Sequence, residues 1–229
     1  MTIPRKSSAP LDSLATAPDG VFTVWRRRER VEWEAAHLFE ALGQTISRLR
    51  GKDDPVSSLS LRAASDERRH AALCQEILSH RSAHHTQHAP SGDGLLGPTN
   101  LSLDKRVLYT AVAMGCVTET LSTALLLQIQ RRAKSPLIKR VVHEILEDEI
   151  LHGRIGWAEL AHARLKGSVN WLAPHLADMI ATAIQEEAKP FSKGPDLSEW
   201  GILPRADALA IMRETVASVI EPGLRSRFA

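Results

Sequence analysis

Apolar side chains recur every three to four positions along several long stretches of the chain, which is the spacing of one face of an α-helix. In the first stretch, Val31, Leu38 and Leu42 fall near one face, and arginine, glutamate and glutamine occupy the others. No stretch alternates apolar and polar residues convincingly over the length of a β-strand. The pattern therefore predicts an all-α protein with helices at about residues 19–50, 55–80, 102–133, 136–166, 169–188 and 205–220.

Proline marks the start of two of these helices. Asp54 precedes Pro55 and Ser135 precedes Pro136, and in each pair the first residue suits an N-cap while the proline suits the first turn. The link between the first two helices is short, so we expect them to pack antiparallel. Residues 81–100 are rich in glycine, proline, serine and histidine, and an extended connection of that length can cross a whole helical bundle.

The expected architecture is a four-helix bundle of two antiparallel hairpins joined by a long crossover. We expect residues 19–166 to form the bundle and residues 167–229 to add helices that pack on it within the same domain. Residues 1–18 are expected to form a flexible leader. A chain of 229 residues is long enough to bury a substantial core as one domain.

Composition narrows the function classes. The net charge is only +2, and arginines alternate with acids instead of forming a basic block, so no nucleic-acid partner is expected. The two cysteines, Cys74 and Cys116, form no Cys-x-x-Cys, which argues against a disulfide framework or a cysteine-bound metal and favours the cytoplasm. We find no signal peptide and no run that approaches the roughly 20 apolar residues of a membrane span, so no membrane partner is expected.

One short motif occurs twice on predicted helices. Asp66-Glu67-x-x-His70 and Asp148-Glu149-x-x-His152 share the same order and spacing. Residues three apart on a helix lie on one face, so each copy presents a carboxylate and an imidazole to a single point. A single copy would be weak evidence, because an isolated match is usually a solvated acid beside an ordinary histidine. Two copies indicate a metal site.

Two further glutamates lie among apolar neighbours on the remaining long helices. Glu34 follows Val31 and precedes Leu38, and Glu119 lies between Cys116 and Leu126. A carboxylate in an apolar stripe must find a partner or stay protonated, because burial of an unpaired charge is costly. The opposed glutamate and histidine pairs suggest that this partner is a metal.

The resulting set, with one glutamate from each of two helices and Glu-x-x-His from the other two, resembles the ferritin-like superfamily of carboxylate-bridged metal proteins. The resemblance covers about residues 21–165. It implies a site for two iron ions, with manganese in one or both positions as the alternative. It further implies terminal or chelating carboxylates from Glu34 and Glu119, bridging carboxylates from Glu67 and Glu149, and one nitrogen per ion from His70 and His152.

The aspartates of the two motifs are candidates for an outer layer of the same site. We expect Asp66 to accept the free N–H of His152, and Asp148 to accept that of His70, because metal-bound histidines usually donate their second nitrogen to a carboxylate or carbonyl. The alternative is that both aspartates are surface acids.

Several other residues are candidates for lining a pocket beside the metals: His37, Gly115, Cys116 and Gly153. His37 is three residues from Glu34, although inward-facing histidines are more often packing residues than ligands. Glycines inside helices indicate either close helix contact or open space for dioxygen or substrate, and the two readings have about even weight. His80, His84, His85 and His88 lie in the connection, where adventitious metal binding is the simpler interpretation.

The resemblance implies an enzyme that activates dioxygen at a di-iron centre and oxidises a small organic substrate with electrons from a separate donor protein. A homodimer is compatible with this class. The main alternative is a ferroxidase that handles iron without an organic substrate. A third is a metal-free helical interaction protein that retains the buried acids. Fold alone does not decide among them.

Overall fold

The computed structural model of this chain describes residues 13–81 and 94–228. Within these two ranges every regular element is helical, and β-structure is limited to isolated bridge pairs near the end of the chain. The prediction of an all-α protein is therefore confirmed for the described residues. Residues 1–12 of the expected leader, and His84, His85 and His88 of the connection, lie outside them.

Four long helical stretches form the main body of the protein. The first two are α1 (Asp19–Arg50) and α2 (Pro55–Leu78). The third is continuous over thirty residues and consists of α3 (Leu103–Ala111), a π-helical segment (Val112–Thr118) and α4 (Glu119–Arg132). The fourth is α5 (Pro136–Lys166), and the chain then continues through α6 (Leu176–Ala188), α7 (Arg205–Thr215), a second π-helical segment (Val216–Ile220) and α8 (Glu221–Phe228).

Both predicted proline starts are capped as expected. The Asp54 side chain accepts hydrogen bonds from the backbone N–H groups of Val56 at 2.9 Å and Ser57 at 3.0 Å. The Ser135 hydroxyl accepts one from Ile138 at 3.4 Å. These bonds satisfy donors that have no partner within the helix itself, which is why α2 and α5 begin where the sequence predicts.

The four long stretches pack around a common interior. The helix α1 lies along α2, α5 packs against α2 and α4, and α3 contacts both α1 and α5. The C-terminal helices α6 and α7 pack on the third stretch, and α6 contacts its π-helical segment. The C-terminal helices thus cover one side of the main body.

The end of the expected leader is packed and not loose. Ser13–Thr16 form one turn of 3₁₀-helix before α1. Leu14 is fully buried and Ala17 is 1% exposed, and both belong to the main hydrophobic core. Burial of a leucine side chain contributes on the order of 2 kcal/mol, which is enough to hold this short segment on the protein.

The third stretch also meets the length and hydropathy of a membrane span, contrary to our expectation from its sequence. An 18-residue window within Leu103–Arg132 has a mean hydropathy of 1.4, but 72% of that window is buried inside the protein. A core helix covered by other helices has the same composition, so this is weak evidence for a membrane segment.

Glycines allow the third stretch to approach α5 closely. A Cβ atom added to Gly115 would lie 2.4 Å from the Gly156 nitrogen, and one added to Gly156 would lie 2.5 Å from the Ala111 oxygen and 2.7 Å from the Cys116 sulfur. Backbone therefore packs directly on backbone at this crossing. Of the two readings of these glycines, close helix contact is confirmed for Gly115, and open space beside it is wrong.

This crossing generates a prediction about stability. Gly156→Ala should lower the free energy of unfolding by about 1–3 kcal/mol, the usual cost of overpacking, because backbone atoms cannot move aside as a flexible side chain can. Gly153→Ala is the matched control in the same helix, since its added Cβ would lie at an ordinary 3.6 Å from the Gly115 oxygen across the crossing. Urea unfolding of both variants measures the difference, and equal stabilities would contradict the close contact.

Candidate metal centre

Four glutamates and two histidines meet in the interior between the four long helical stretches. Each of the six is at most 5% exposed, and His70 is fully buried. Their ligand atoms form two groups, each with all atoms within 4.8 Å of one another. The first group is Glu32, Glu67, His70 and Glu149, and the second is Glu67, Glu119, Glu149 and His152.

The two groups share Glu67 and Glu149. Each shared glutamate has two carboxylate oxygens, so it can offer one oxygen to each group. A bridging carboxylate in a dinuclear centre needs this arrangement. The remaining members divide evenly, with one glutamate and one histidine in each group.

The imidazoles face the cluster through their Nδ1 atoms. His70 Nδ1 lies 3.1 Å from Glu67 Oε2 and 3.8 Å from Glu32 Oε2. His152 Nδ1 lies 2.9 Å from Glu67 Oε1 and 3.3 Å from Glu149 Oε2. Glu67 thus contacts both imidazoles, one with each oxygen, at the centre of the cluster.

The candidate ligand that the sequence predicts on the first helix, Glu34, is wrong by two residues. The Glu34 side chain is 58% exposed, and its carboxylate contacts Arg30 at 3.5 Å. Glu32 occupies the place expected for Glu34, with 4% exposure. Two positions on an α-helix correspond to a rotation of about 200° around its axis, so only one of these two glutamates can face the interior.

The error came from the choice of apolar stripe. Val31 and Leu38, which defined the predicted face, are only partly buried. The buried face of α1 instead carries Trp25 at 2% exposure and Phe39 with none. Glu32 lies seven residues from each of them, so the larger aromatic side chains were the signal that located the core face.

The two aspartates have the positions expected from the sequence. Asp148 Oδ2 accepts a hydrogen bond from His70 Nε2 at 3.1 Å. Asp66 Oδ2 lies 3.5 Å from His152 Nε2. Each aspartate therefore faces the histidine of the other motif, and each histidine is left with Nδ1 directed at the cluster.

Burial sets the charge of two of the glutamates. It raises the pKa of Glu32 well above its ordinary value, although the neighbouring Arg28 acts in the opposite direction. Burial also raises the pKa of Glu119, and repulsion from Glu149 adds to the effect. Both carboxyl groups therefore favour the protonated form when no cation other than Arg28 is near.

The histidines show the opposite balance. Burial by itself would lower the pKa of His70, but its hydrogen bond to Glu67 and the charge of Glu32 raise it to about 9. Burial is likewise outweighed at His152, where Glu149 and Glu67 raise the pKa to about 11. Burial would raise the pKa of Glu67, but the imidazoles of His152 and His70, which lie against its two oxygens, leave it below its ordinary value. Protons thus neutralise this cluster of acids.

The donor set fits a pair of metal ions. Glu149 Oε2 and His152 Nδ1 are buried without a hydrogen bond of acceptable geometry, although they lie only 3.3 Å from each other. Such converging but unsatisfied atoms are expected of ligands that point at a common ion. Four carboxylates with one imidazole for each group suit iron or manganese better than a metal that prefers thiolates.

A cavity of about 80 Å³ adjoins the cluster on the side away from the histidines. Its polar end contains the carboxylates of Glu32, Glu67, Glu119 and Glu149. Its other walls are mainly apolar and come from α1, α4 and the C-terminal segment: Val24, Trp25, Val31, Ala35, Ile129 and Phe191.

Besides the glutamates of the cluster, the cavity is lined by three charged residues that were not predicted from the sequence: Arg27, Arg28 and Glu187. Arg28 from α1 contacts Glu32, with its Nε 3.0 Å from a carboxylate oxygen. Glu187 from α6 also lines the cavity, and burial raises its pKa to about 7. The Glu187 contribution depends on how α6 packs, and no local sequence pattern carries that information.

The predicted lining residues have other positions. His37, Gly115, Cys116 and Gly153 are not among the described residues that line the cavity. His37 is half-buried and donates a hydrogen bond from Nδ1 to the Trp33 carbonyl at 2.7 Å, as a packing histidine does. Of the predicted histidine cluster in the connection, only His80 is described, and it is exposed.

Comparison with known proteins does not extend this picture, since no family model, no curated protein and no solved structure matches the chain.

The corrected ligand from α1 can be tested with a matched pair. Glu32→Gln should lower the metal content below two ions per chain, because it removes a carboxylate from the first group. Glu34→Gln changes an exposed residue of the same helix and should retain full loading. Elemental analysis after loading with iron or manganese measures the content, and equal loading of the two variants would contradict the assignment.

Metal binding should depend on pH in a defined direction. At pH 7 both imidazoles are protonated, since their pKa values of about 9 and about 11 lie above that pH. An ion requires unprotonated Nδ1, so binding must displace protons, and affinity should rise about tenfold per pH unit for each proton displaced. Titration calorimetry with Mn²⁺ at pH 6–8, in two buffers of different ionisation enthalpy, counts these protons. A pH-independent affinity would contradict the prediction.

Proposed function

We propose that this protein is a ferritin-like, dinuclear-metal oxidoreductase that uses a di-iron centre to activate dioxygen and oxidise a small organic substrate. The observation that carries the proposal is the pair of overlapping ligand groups, in which Glu67 and Glu149 belong to both. A dinuclear carboxylate centre needs shared ligands of this kind, whereas a single metal site does not.

The origin of the ligands supports the ferritin-like class. Glu32 and Glu119 come singly from the first and third helical stretches, and the two Glu-x-x-His pairs come from α2 and α5. In ferritin-like bundles the inward ligands have this same distribution over four helices. The packing of α1 on α2, of α4 on α5 and of α2 on α5 supports the proposed pair of facing hairpins.

Iron ions bridged by carboxylates supply the ability to bind dioxygen and exchange electrons with it. In the proposed centre Glu67 and Glu149 would contribute to holding both ions, and His70 and His152 would each contribute to holding one. Asp148 accepts a hydrogen bond from His70 Nε2, and Asp66 lies 3.5 Å from His152 Nε2, so both aspartates face the outer nitrogens. The imidazole orientation is thereby fixed, which is the usual role of an outer layer of hydrogen bonds.

The cavity supports an organic substrate over iron storage. Its walls are largely apolar, and they meet the carboxylate side of the cluster directly. Water is disfavoured on such walls, so an apolar molecule can lie beside the centre while dioxygen reacts. Arg28 and Glu187 provide polar groups at the same place. Electrons are proposed to come from a separate donor protein.

A reaction with dioxygen tests this function. The protein should bind two Fe²⁺ ions per chain without oxygen, and addition of dioxygen should produce a transient visible absorption. Glu149→Ala should abolish the two-ion loading and the transient, because a bridging ligand serves both ions. Glu147→Ala is the control on the same helix. The Glu147 side chain is 67% exposed, and its carboxylate lies 3.4 Å from His143 Nε2, away from the cluster.

Two results would overturn the proposal in different ways. A large hollow assembly that takes up many iron ions per chain and mineralises them would favour the ferroxidase. Absence of bound metal after expression with ample iron and manganese would favour a metal-free helical protein. The size of the assembly and the metal content can be measured on the same preparation.

A further inference from the structure

We propose that Arg69 is a positioning residue shared by both halves of the centre, and that its guanidinium holds Asp66 and Asp148 in place against the two histidines. The inference rests on the proposed function and deepens it. It concerns the side of the cluster opposite the cavity, where the Nε2 atoms of His70 and His152 point outward.

The guanidinium of Arg69 lies between the two aspartates. Its Nη2 donates a hydrogen bond to Asp148 Oδ2, the same oxygen that accepts from His70 Nε2. The same Nη2 lies 3.9 Å from Asp66 Oδ1, and Asp66 Oδ2 faces His152 Nε2. The Arg69 guanidinium on α2 therefore contacts both aspartates that face the imidazoles, Asp66 on α2 and Asp148 on α5.

The two motifs differ at this position. In the first motif the residue before the histidine is Arg69, and in the second the equivalent residue is Leu151. Each motif thus contributes one aspartate, but only the first motif contributes an arginine at this position. Leu151 is half-buried, so the second motif has an apolar side chain where the first has a charged one.

The physical need for a cation here follows from the charges. Two carboxylates that approach one guanidinium from opposite helices repel each other, and they are only 14% and 18% exposed. Arg69 offsets this repulsion and offers several N–H donors in a fixed plane. Without it, we expect the carboxylates to turn towards solvent, which would leave the Nε2 atoms without fixed acceptors.

Other charged residues lie near Asp66 and Asp148, but none of those described below contacts both aspartates. Arg62 Nε lies 3.7 Å from Asp66 Oδ2 and has no recorded contact with Asp148. Glu144 lies 3.9 Å from Arg69 Nη1, and it also accepts a hydrogen bond from Arg140 at 2.9 Å. Within the part of the chain that the structure describes, Arg69 is the one cationic residue that forms ion pairs with both aspartates.

The test compares two neighbouring arginines. Arg69→Leu introduces the residue that the second motif has at this position, and it should weaken Mn²⁺ binding at both sites by about 10–100-fold, the usual effect of losing an outer hydrogen-bond partner. Arg69→Lys should give an intermediate loss, because an ammonium keeps the charge but not the planar donors. Arg68→Leu is the matched control, since Arg68 contacts Glu40 and the Ala64 carbonyl instead. Competition with a chelator measures the affinities.

A second measurement uses the metal-free protein. The imidazole N–H signals of His70 and His152 should be visible and slow to exchange by NMR in the wild type and in Arg68→Leu. In Arg69→Leu both should exchange faster, because their acceptors are no longer fixed. Since Arg69 is 45% exposed, its replacement should leave the fold intact, and circular dichroism checks this.

The outcomes separate the two proposals. If the wild type binds no metal, the proposed function fails, and the histidine signals of the metal-free protein still decide the role of Arg69. If the wild type binds two ions and Arg69→Leu binds them with wild-type affinity, the role of Arg69 is overturned and the centre stands. A loss confined to one ion would also overturn it, since a shared residue must affect both.

Discussion

The buried cluster of four glutamates and two histidines is the constraint on which the rest of this structure depends. Four carboxylates inside a helical protein repel one another and are poorly solvated, so they need positive charge or protons to remain there. In the metal-free protein, protons fulfil this need, on both imidazoles and on Glu32 and Glu119. A pair of divalent ions would meet the same need with the protons displaced. Cation binding and folding stability are therefore linked at one place.

Helix packing brings the side chains of this cluster together. At the crossing of Gly115 and Gly156, backbone packs on backbone, and this brings the third helical stretch close to α5. The π-helical segment Val112–Thr118 ends just before Glu119. A wider turn changes the direction in which the following residues point, and such segments are frequent at functional sites. The close crossing and the wide turn together place the Glu119 carboxylate in the cluster.

The centre has two different sides. On the histidine side, Asp66, Asp148 and Arg69 form a polar layer that separates the imidazoles from solvent. On the carboxylate side, Glu32 and Glu119 border a cavity with mainly apolar walls, closed in part by the C-terminal segment. One side is thus suited to fix ligand orientation, and the other is suited to admit a reactant. This division is the basis on which we propose an enzyme and not a storage protein.

The sequence by itself determined the helices, their capped starts and most of the residues of the buried cluster. Spacing three apart on a helix forces Glu67 with His70, and Glu149 with His152, onto common faces whatever the rest of the chain does. The tertiary structure decided which face of α1 points inward, because Val31 and Leu38 form an apolar stripe nearly as regular as the one around Trp25 and Phe39. It therefore selected Glu32 over Glu34. It also decided the cavity, since Glu187 and Phe191 reach its walls only through the packing of distant segments. Local periodicity contains no information about such contacts.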